Sequence, residues 1–418
     1  ALESYQAAIA GHPDAGAKAR LHNYASIDLR LLGRWEEGRQ EIERGLALGG
    51  PGPSLEVANL LLSKSIYDDW AGREEESDQV LEEVGRWLAE LPPDPETRYW
   101  WTERSSSSAN ATTRDYPAVL ERGREAVRLY EATDFPPRVR HFAQCYLLTA
   151  WASFLLGRME EALSWLDRGW ADQEAIGGVV QRGNYLSMRG YILSEGQGRF
   201  EEAEERYGEA LQWMKRANQA FRSAWLPHLF AKLYAHQGRR EEARESLAFF
   251  LGKAGEALGS REVQGALYSL EPEDLMDSHA FMARLCIDAG DLEAAEEQVS
   301  TAEAFLDNAE SNEGEFAVTW ARALVHRYRG EHEEARGKYE AARALPAPPI
   351  RGYIFQRLFA SEFLRAEFLL DYGRFLASQG EEAQASKVLT EALKEARENS
   401  RAPLQAKVEQ ELSALNAA

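Results

Sequence analysis

Hydrophobic and polar positions along this 418-residue chain follow a helical rhythm almost from end to end. Stretches such as His141-Phe142-Ala143-Gln144-Cys145-Tyr146-Leu147-Leu148-Thr149-Ala150-Trp151 hold apolar residues three and four apart, the spacing that gathers them on one face of a helix. Each such stretch runs into a short linker with a glycine, a charged pair and an alanine five residues past the glycine. The linker reads Gly157-Arg158-Met159-Glu160-Glu161-Ala162 in one copy and recurs at Gly198, Gly238, Gly290 and Gly330. A second apolar series follows it, so the unit is two helices joined by a tight turn. Anchoring on the linker adds copies at Gly33 and Gly380 and degenerate ones at Gly72 and Arg114. The unit then returns roughly every 40 residues, about nine times, which marks a solenoid and not a single globular core.

Residue types within the unit follow from packing helices closely. Glycine supplies the left-handed backbone where the first helix ends. Glutamates just after it sit in the first turn of the second helix, where the macrodipole favours negative charge. The alanine lets the two axes approach. Four residues on stands a larger apolar side chain, as at Leu166, Tyr207, Leu247, Val299, Tyr339 and Leu389, and three further a small one, as at Gly169, Ala210, Ala302, Ala342 and Ala392.

This pattern resembles the tetratricopeptide repeat (TPR), whose consensus places Gly, an aromatic, Ala, an aromatic and Ala at these offsets. The copy at Gly198 matches with Phe200, Ala203, Tyr207, Ala210 and Leu211; the copy at Gly33 matches more weakly, with Trp35, Gly38, Ile42, Gly45 and Leu46. Two departures are a period longer than the family's 34 residues and the general lack of its terminal proline. Longer units of this kind look like those in the sensor modules of large bacterial ATP-dependent transcription activators, such as the maltose regulator, and in bacterial peptide-signal receptors. The resemblance implies an all-α, right-handed α-solenoid of stacked antiparallel helix pairs over residues 1–402. Residues 403–418, with Pro403, Leu404, Val408, Leu412 and Leu415, form a capping helix with a polar outer face.

Some segments break the rhythm. Ala1, Tyr5, Ala8 and Ile9 have the spacing of a second helix, so the chain reads as starting inside a repeat of a longer protein. Leu91-Pro92-Pro93-Asp94-Pro95 interrupts the helices and precedes Ser105-Ser106-Ser107-Ser108, a small-sided helix face that reads as a thin wall of a ligand pocket or as close helix packing. Longer connections lie at Leu251 to Leu275 and at Leu345 to Ile350, each a candidate lid or an ordinary loop.

Charge narrows the partners. With 69 acidic against 48 basic residues and a net charge of −21, the chain repels phosphate backbones and anionic lipid, so nucleic acid and membrane are not expected partners. No stretch approaches the roughly 20 apolar residues that a membrane helix needs. Cys145 and Cys286 lie in apolar helical stretches, as suits buried thiols in a reducing, cytoplasmic setting. No HExxH, paired CxxC, phosphate-cradling glycine loop or GxSxG motif occurs. The expectation is a non-enzymatic protein with no metal and no cofactor.

The remaining candidate is the inner face. In the family that the chain resembles, ligands lie along the first helices, about 13, 10, 6 and 3 residues before the linker glycine. Those positions carry Arg or Lys seven times and acids four times, reversing the sign of the whole chain. They nominate Arg30, Trp101, Arg104, Trp151, Trp225, His228 and Lys232, and in the later copies Arg284, Trp320, Arg327 and Arg374. Arginine would meet carboxylates and tryptophan would bury flat apolar groups. The competing reading pairs the arginines with acids on adjacent helices and puts the tryptophans in the inter-repeat core. The expected function is a protein- or peptide-binding scaffold, with acidic or aromatic-anchored segments or other domains of the same polypeptide as partners. It would be the sensor or docking region of a bacterial regulator. The alternative is a small-molecule or signal-peptide receptor that controls a neighbouring transcription-activator, ATPase or protease domain. A receptor would show a deep closed pocket with converging polar groups; a scaffold would show a long open groove.

Overall fold

In a computed structural model of the chain, every residue is described except 1, 32–33, 51, 71–72, 113–114, 218–219, 260–271, 307–313, 346–361, 400 and 418. The linker anchors Gly33, Gly72 and Arg114 lie outside the described residues, as do 260–271 and 346–350 of the two long connections. Among the described residues all regular structure is helical.

The helices fall into consecutive pairs, as the linkers predict. After Leu2–Gly11 come Ala15–Leu31 with Trp35–Gly49, Leu55–Trp70 with Glu74–Trp87, and Pro95–Thr112 with Tyr116–Ala132. A short helix, Pro137–Phe142, leads into Cys145–Leu155 with Met159–Ala175. Then follow Arg182–Tyr191 with Phe200–Arg216, Ala220–His236 with Arg240–Gly259, and Pro272–Asp288 with Leu292–Leu306. The last pairs are Glu315–Tyr328 with His332–Ala344 and Glu362–Ser378 with Glu382–Glu398, before the final helix Ala402–Ala417. Each helix packs on its partner and each pair on the next, which makes the molecule a solenoid.

The repeat residues occupy the places their types demand. Gly157, Gly238, Gly290, Gly330 and Gly380 all have φ between 74° and 81°, a backbone that only glycine adopts without strain. The alanines Ala162, Ala203, Ala243, Ala295, Ala335 and Ala385 are all fully buried, and so are the large apolar residues Tyr207, Leu247 and Tyr339 beyond them. Close approach extends to Gly169, where an added Cβ would lie 2.3 Å from the Tyr185 ring. The serine face is packing of the same kind. Ser106 and Ser107 are buried, and the Ser106 hydroxyl donates to the Val119 carbonyl at 3.1 Å across the helix pair.

The last helix does more than cover an open end. It packs on Glu382–Glu398 and also reaches back to the turn at Ile192–Gln197, so the solenoid closes on itself. Gly198 makes room there: an added Cβ would lie 3.0 Å from the Pro403 ring.

Candidate functional site

Closure creates a pocket of about 340 Å³ between the middle repeats and the C-terminal segment. One wall is Ile192–Gln197, which is wound as a π-helix. In the other linkers the closing hydrogen bond spans five residues, as from Arg158 N–H to the Ser153 carbonyl at 2.8 Å and from Arg239 N–H to Tyr234 at 2.8 Å. At Gly198 it runs from Arg199 N–H to Leu193 at 3.0 Å and spans six. The extra residue widens the turn on the stretch that carries Glu195 into the pocket, and π-turns recur at functional positions.

The pocket floor is a buried ion network. Nη2 of Arg401, in the loop before the last helix, donates to Glu195 and, at 2.8 Å, to Glu367. His236 Nε2 lies 2.9 Å from Glu195 and its ring stacks on Phe200. Arg284 Nη1 reaches Glu367 at 3.5 Å while its guanidinium lies 4.2 Å from the Trp320 ring centre. Burial pushes the Glu367 carboxyl up, but Arg401 and Arg284 outweigh it and hold the group at about 2. For Glu195 burial is likewise overcome, by His236 and Arg401, and the carboxyl stays well below its usual range. Burial pulls Arg284 and Lys232 in the opposite direction, below the ordinary values of such cations.

A second cluster stands beside the first. Asp371 accepts from Arg327 Nη1 at 2.9 Å, from Trp320 Nε1 at 3.1 Å and from the Tyr339 hydroxyl at 2.6 Å. Tyr328, about half exposed, contributes to the lining, and Arg374 pairs with Glu411 of the last helix at 2.8 Å. Glu195, His236 and Glu367 offer three metal-ligand atoms within 4.8 Å of one another. The Arg401 guanidinium bonds both carboxylates and supplies the positive charge that an ion would bring.

Five of the sequence-nominated residues therefore meet in one place: Lys232, Arg284, Trp320, Arg327 and Arg374. The others do not join them. Trp151 is fully buried against Phe154 and Tyr191, and Trp225 packs on Phe250. His228 is buried between Phe250 and Phe281, where burial holds its pKa well below the usual histidine value. Trp101 donates to the Leu81 carbonyl at 2.8 Å, and Arg104 pairs with Asp69 at 2.6 Å. Arg30 ends the helix Ala15–Leu31, half-buried near Tyr67. The nomination omitted Glu195, His236, Glu367, Asp371 and Arg401. Glu195 and Glu367 occupy the inner-face register, so the signal lay in their position; Arg401 has no place in the repeat and left none.

A tetratricopeptide-repeat family model matches residues 143–168 and 276–299, each stretch spanning a linker glycine and parts of both helices of a pair. No curated protein sequence matches the chain. Among solved structures, a Rap protein complexed with the competence and sporulation factor superposes with a TM-score of 0.56 at 11% identity, covering 96% of this chain and 98% of that one. The Rap conjugation regulator of plasmid pLS20, bound to the Phr* peptide, gives 0.52 at 12%, covering 84% and 98%. The human IFIT1 dimer with m7Gppp-AAAA gives 0.51 at 14%, covering 95% and 81%. The chain has a TPR-like helical-repeat fold. At these identities the likeness to the solved structures is one of fold.

Proposed function

We propose that this chain is a non-catalytic, ligand-sensing TPR-like scaffold that binds a short peptide segment in the pocket formed where the solenoid closes on itself. The observation that carries the reading is the pocket itself: it is a partly open cleft on which charged and aromatic groups from repeats far apart in sequence converge. An open docking groove would not need the last helix to return to residues 192–197. Of the compared structures the Rap conjugation regulator holds the Phr* peptide and IFIT1 holds m7Gppp-AAAA; the charge of −21 favours the peptide over a nucleic acid here. In this reading Lys232, Arg284, Arg327 and Arg374 meet acidic or terminal groups of the ligand, and Trp320 and Tyr328 meet apolar ones. Its role is cytoplasmic and regulatory: a ligand that touches repeats on both sides of the closure biases how tightly the solenoid is shut, and a neighbouring effector reads that state.

Thermal-shift screening of a short-peptide library tests this, because a ligand of the native state raises its stability. Peptides that raise the midpoint are expected, with affinities weakened about tenfold in Tyr328→Ser, a rim residue without a core role. A library with no stabilising peptide, or hits indifferent to Tyr328→Ser, overturns the proposal.

A further inference from the structure

Most of the charges that line the pocket already answer one another. Glu195 is held by Arg401 and His236, and Glu367 by Arg401 and Arg284. Asp371 takes Arg327, and Arg374 takes Glu411. Lys232 lies in the field of Glu195 and Glu367, which oppose the effect of its burial, and Asp277, Asp288 and Asp371 act on Arg284 besides Glu367. Two lining groups differ. Asp288, which ends the helix Pro272–Asp288, and Lys407, on the final helix, are both exposed, and neither makes an ion pair or a hydrogen bond among the described residues. Arg240 and Arg284 act on Asp288 without bonding it, and Asp371 opposes them. The two groups have opposite signs and stand on the two parts of the chain that the closure brings together. A ligand of one sign would suit one of them and be repelled by the other; a ligand with an ammonium at one end and a carboxylate at the other suits both. The volume of about 340 Å³ lies at the low end of the roughly 300–1,000 Å³ usual for small-ligand sites, so both ends of such a ligand fall inside the pocket.

We infer that the pocket reads both free ends of a very short peptide, its ammonium at Asp288 and its carboxylate at Lys407. The inference rests on the preceding reading, which supplies the peptide, and adds which of its groups are recognised. Leu324, Tyr328 and Leu404 line the same pocket and suit apolar side chains. A ligand held at both ends ties the final helix to the repeats, so its binding tightens the closure.

Di- and tripeptides with free ends are the probes, each compared with its N-acetylated and its C-amidated form by thermal shift and isothermal titration on the whole chain. Free forms are expected to bind saturably, and either cap to weaken binding about fivefold, the scale of an ion pair at an exposed site. Asp288→Asn should remove the penalty of acetylation and keep that of amidation; Lys407→Gln should do the converse. Neither side chain has a bonded partner to lose, so both variants are expected to melt with the wild type. Hydrogen exchange across residues 402–417 should slow with a free peptide and not with its amide. Capped peptides that bind as well as free ones, or penalties that persist in both variants, overturn the assignment, and the receptor reading stands as long as library peptides still bind. A library with no stabilising peptide of any kind overturns both.

Discussion

The first three helix pairs and the last three use one repeat register in opposite ways. Along the early inner seam, short neutral side chains interleave with closed ion pairs such as Arg20–Glu56 to zip consecutive first helices together: Ser63 donates to Asn23 at 2.6 Å and Asn59 to Thr97 at 2.8 Å. Arg104 then bonds Ser65 at 3.2 Å and Asp69 at 2.6 Å. Along the late seam, long charged side chains meet at their tips and leave a cavity of about 340 Å³. Two carboxylates mark the contrast. Glu103, on Pro95–Thr112, accepts from the Tyr99 hydroxyl and from Gln144 N–H at 2.7 Å, yet burial outweighs these bonds and lifts its carboxyl to about 7. Desolvation pushes the Glu367 carboxyl up too, though its side chain is about a quarter exposed, but Arg401 and Arg284 hold it at about 2. Burial sets the direction of each shift until cations reverse it.

The most severe way to break this contrast is Arg401→Met, which strands Glu195 and Glu367 without their shared partner. A loss of about 3–5 kcal/mol is expected in denaturant unfolding, together with a larger radius of gyration by small-angle scattering. Adding Glu195→Gln and Glu367→Gln should restore most of the stability. If Arg401→Met leaves both stability and radius unchanged, the closure does not depend on this network.

Next in size is the pH response of Glu103. Its folded value lies above the unfolded 4.5, so the stabilisation it gives is fully present below that value and lost as pH rises through about 7. Glu103→Gln should flatten the stability profile in this window and exceed the wild type at pH 8 by about 3 kcal/mol. A variant that tracks the wild type throughout would remove the basis of the contrast. Glu367 has the opposite sign: its contribution is present above the unfolded value and is lost only as pH falls toward about 2, so closure should outlast moderate acid.

The smallest effect belongs to the early seam. Asn59→Ala deletes one neutral bridge and should cost about 1 kcal/mol, with no change in radius. A substantially larger loss, or expansion of the molecule, would show that the early seam supports the closure as well.

The architecture was legible in the sequence because it is local. A glycine that must adopt positive φ, an alanine that must admit a neighbouring helix and a large residue four positions on recur with the unit, and each acts within one pair of helices or with the next. The inner-face register was legible for the same reason, which is why Lys232, Arg284, Trp320, Arg327 and Arg374 were nominated and then found together. The register could not tell them from Trp151 or His228, because the depth of a first helix depends on how later repeats stack over it. Only the tertiary structure joined Arg401 to Glu195, 206 residues away. Each pair of helices adds a small rotation to the one before, and the sum of those rotations decides whether the ends of a solenoid part or meet. Here the C-terminal helix comes back onto the middle of the chain, at a π-wound turn with one extra residue, and the pocket exists because it does.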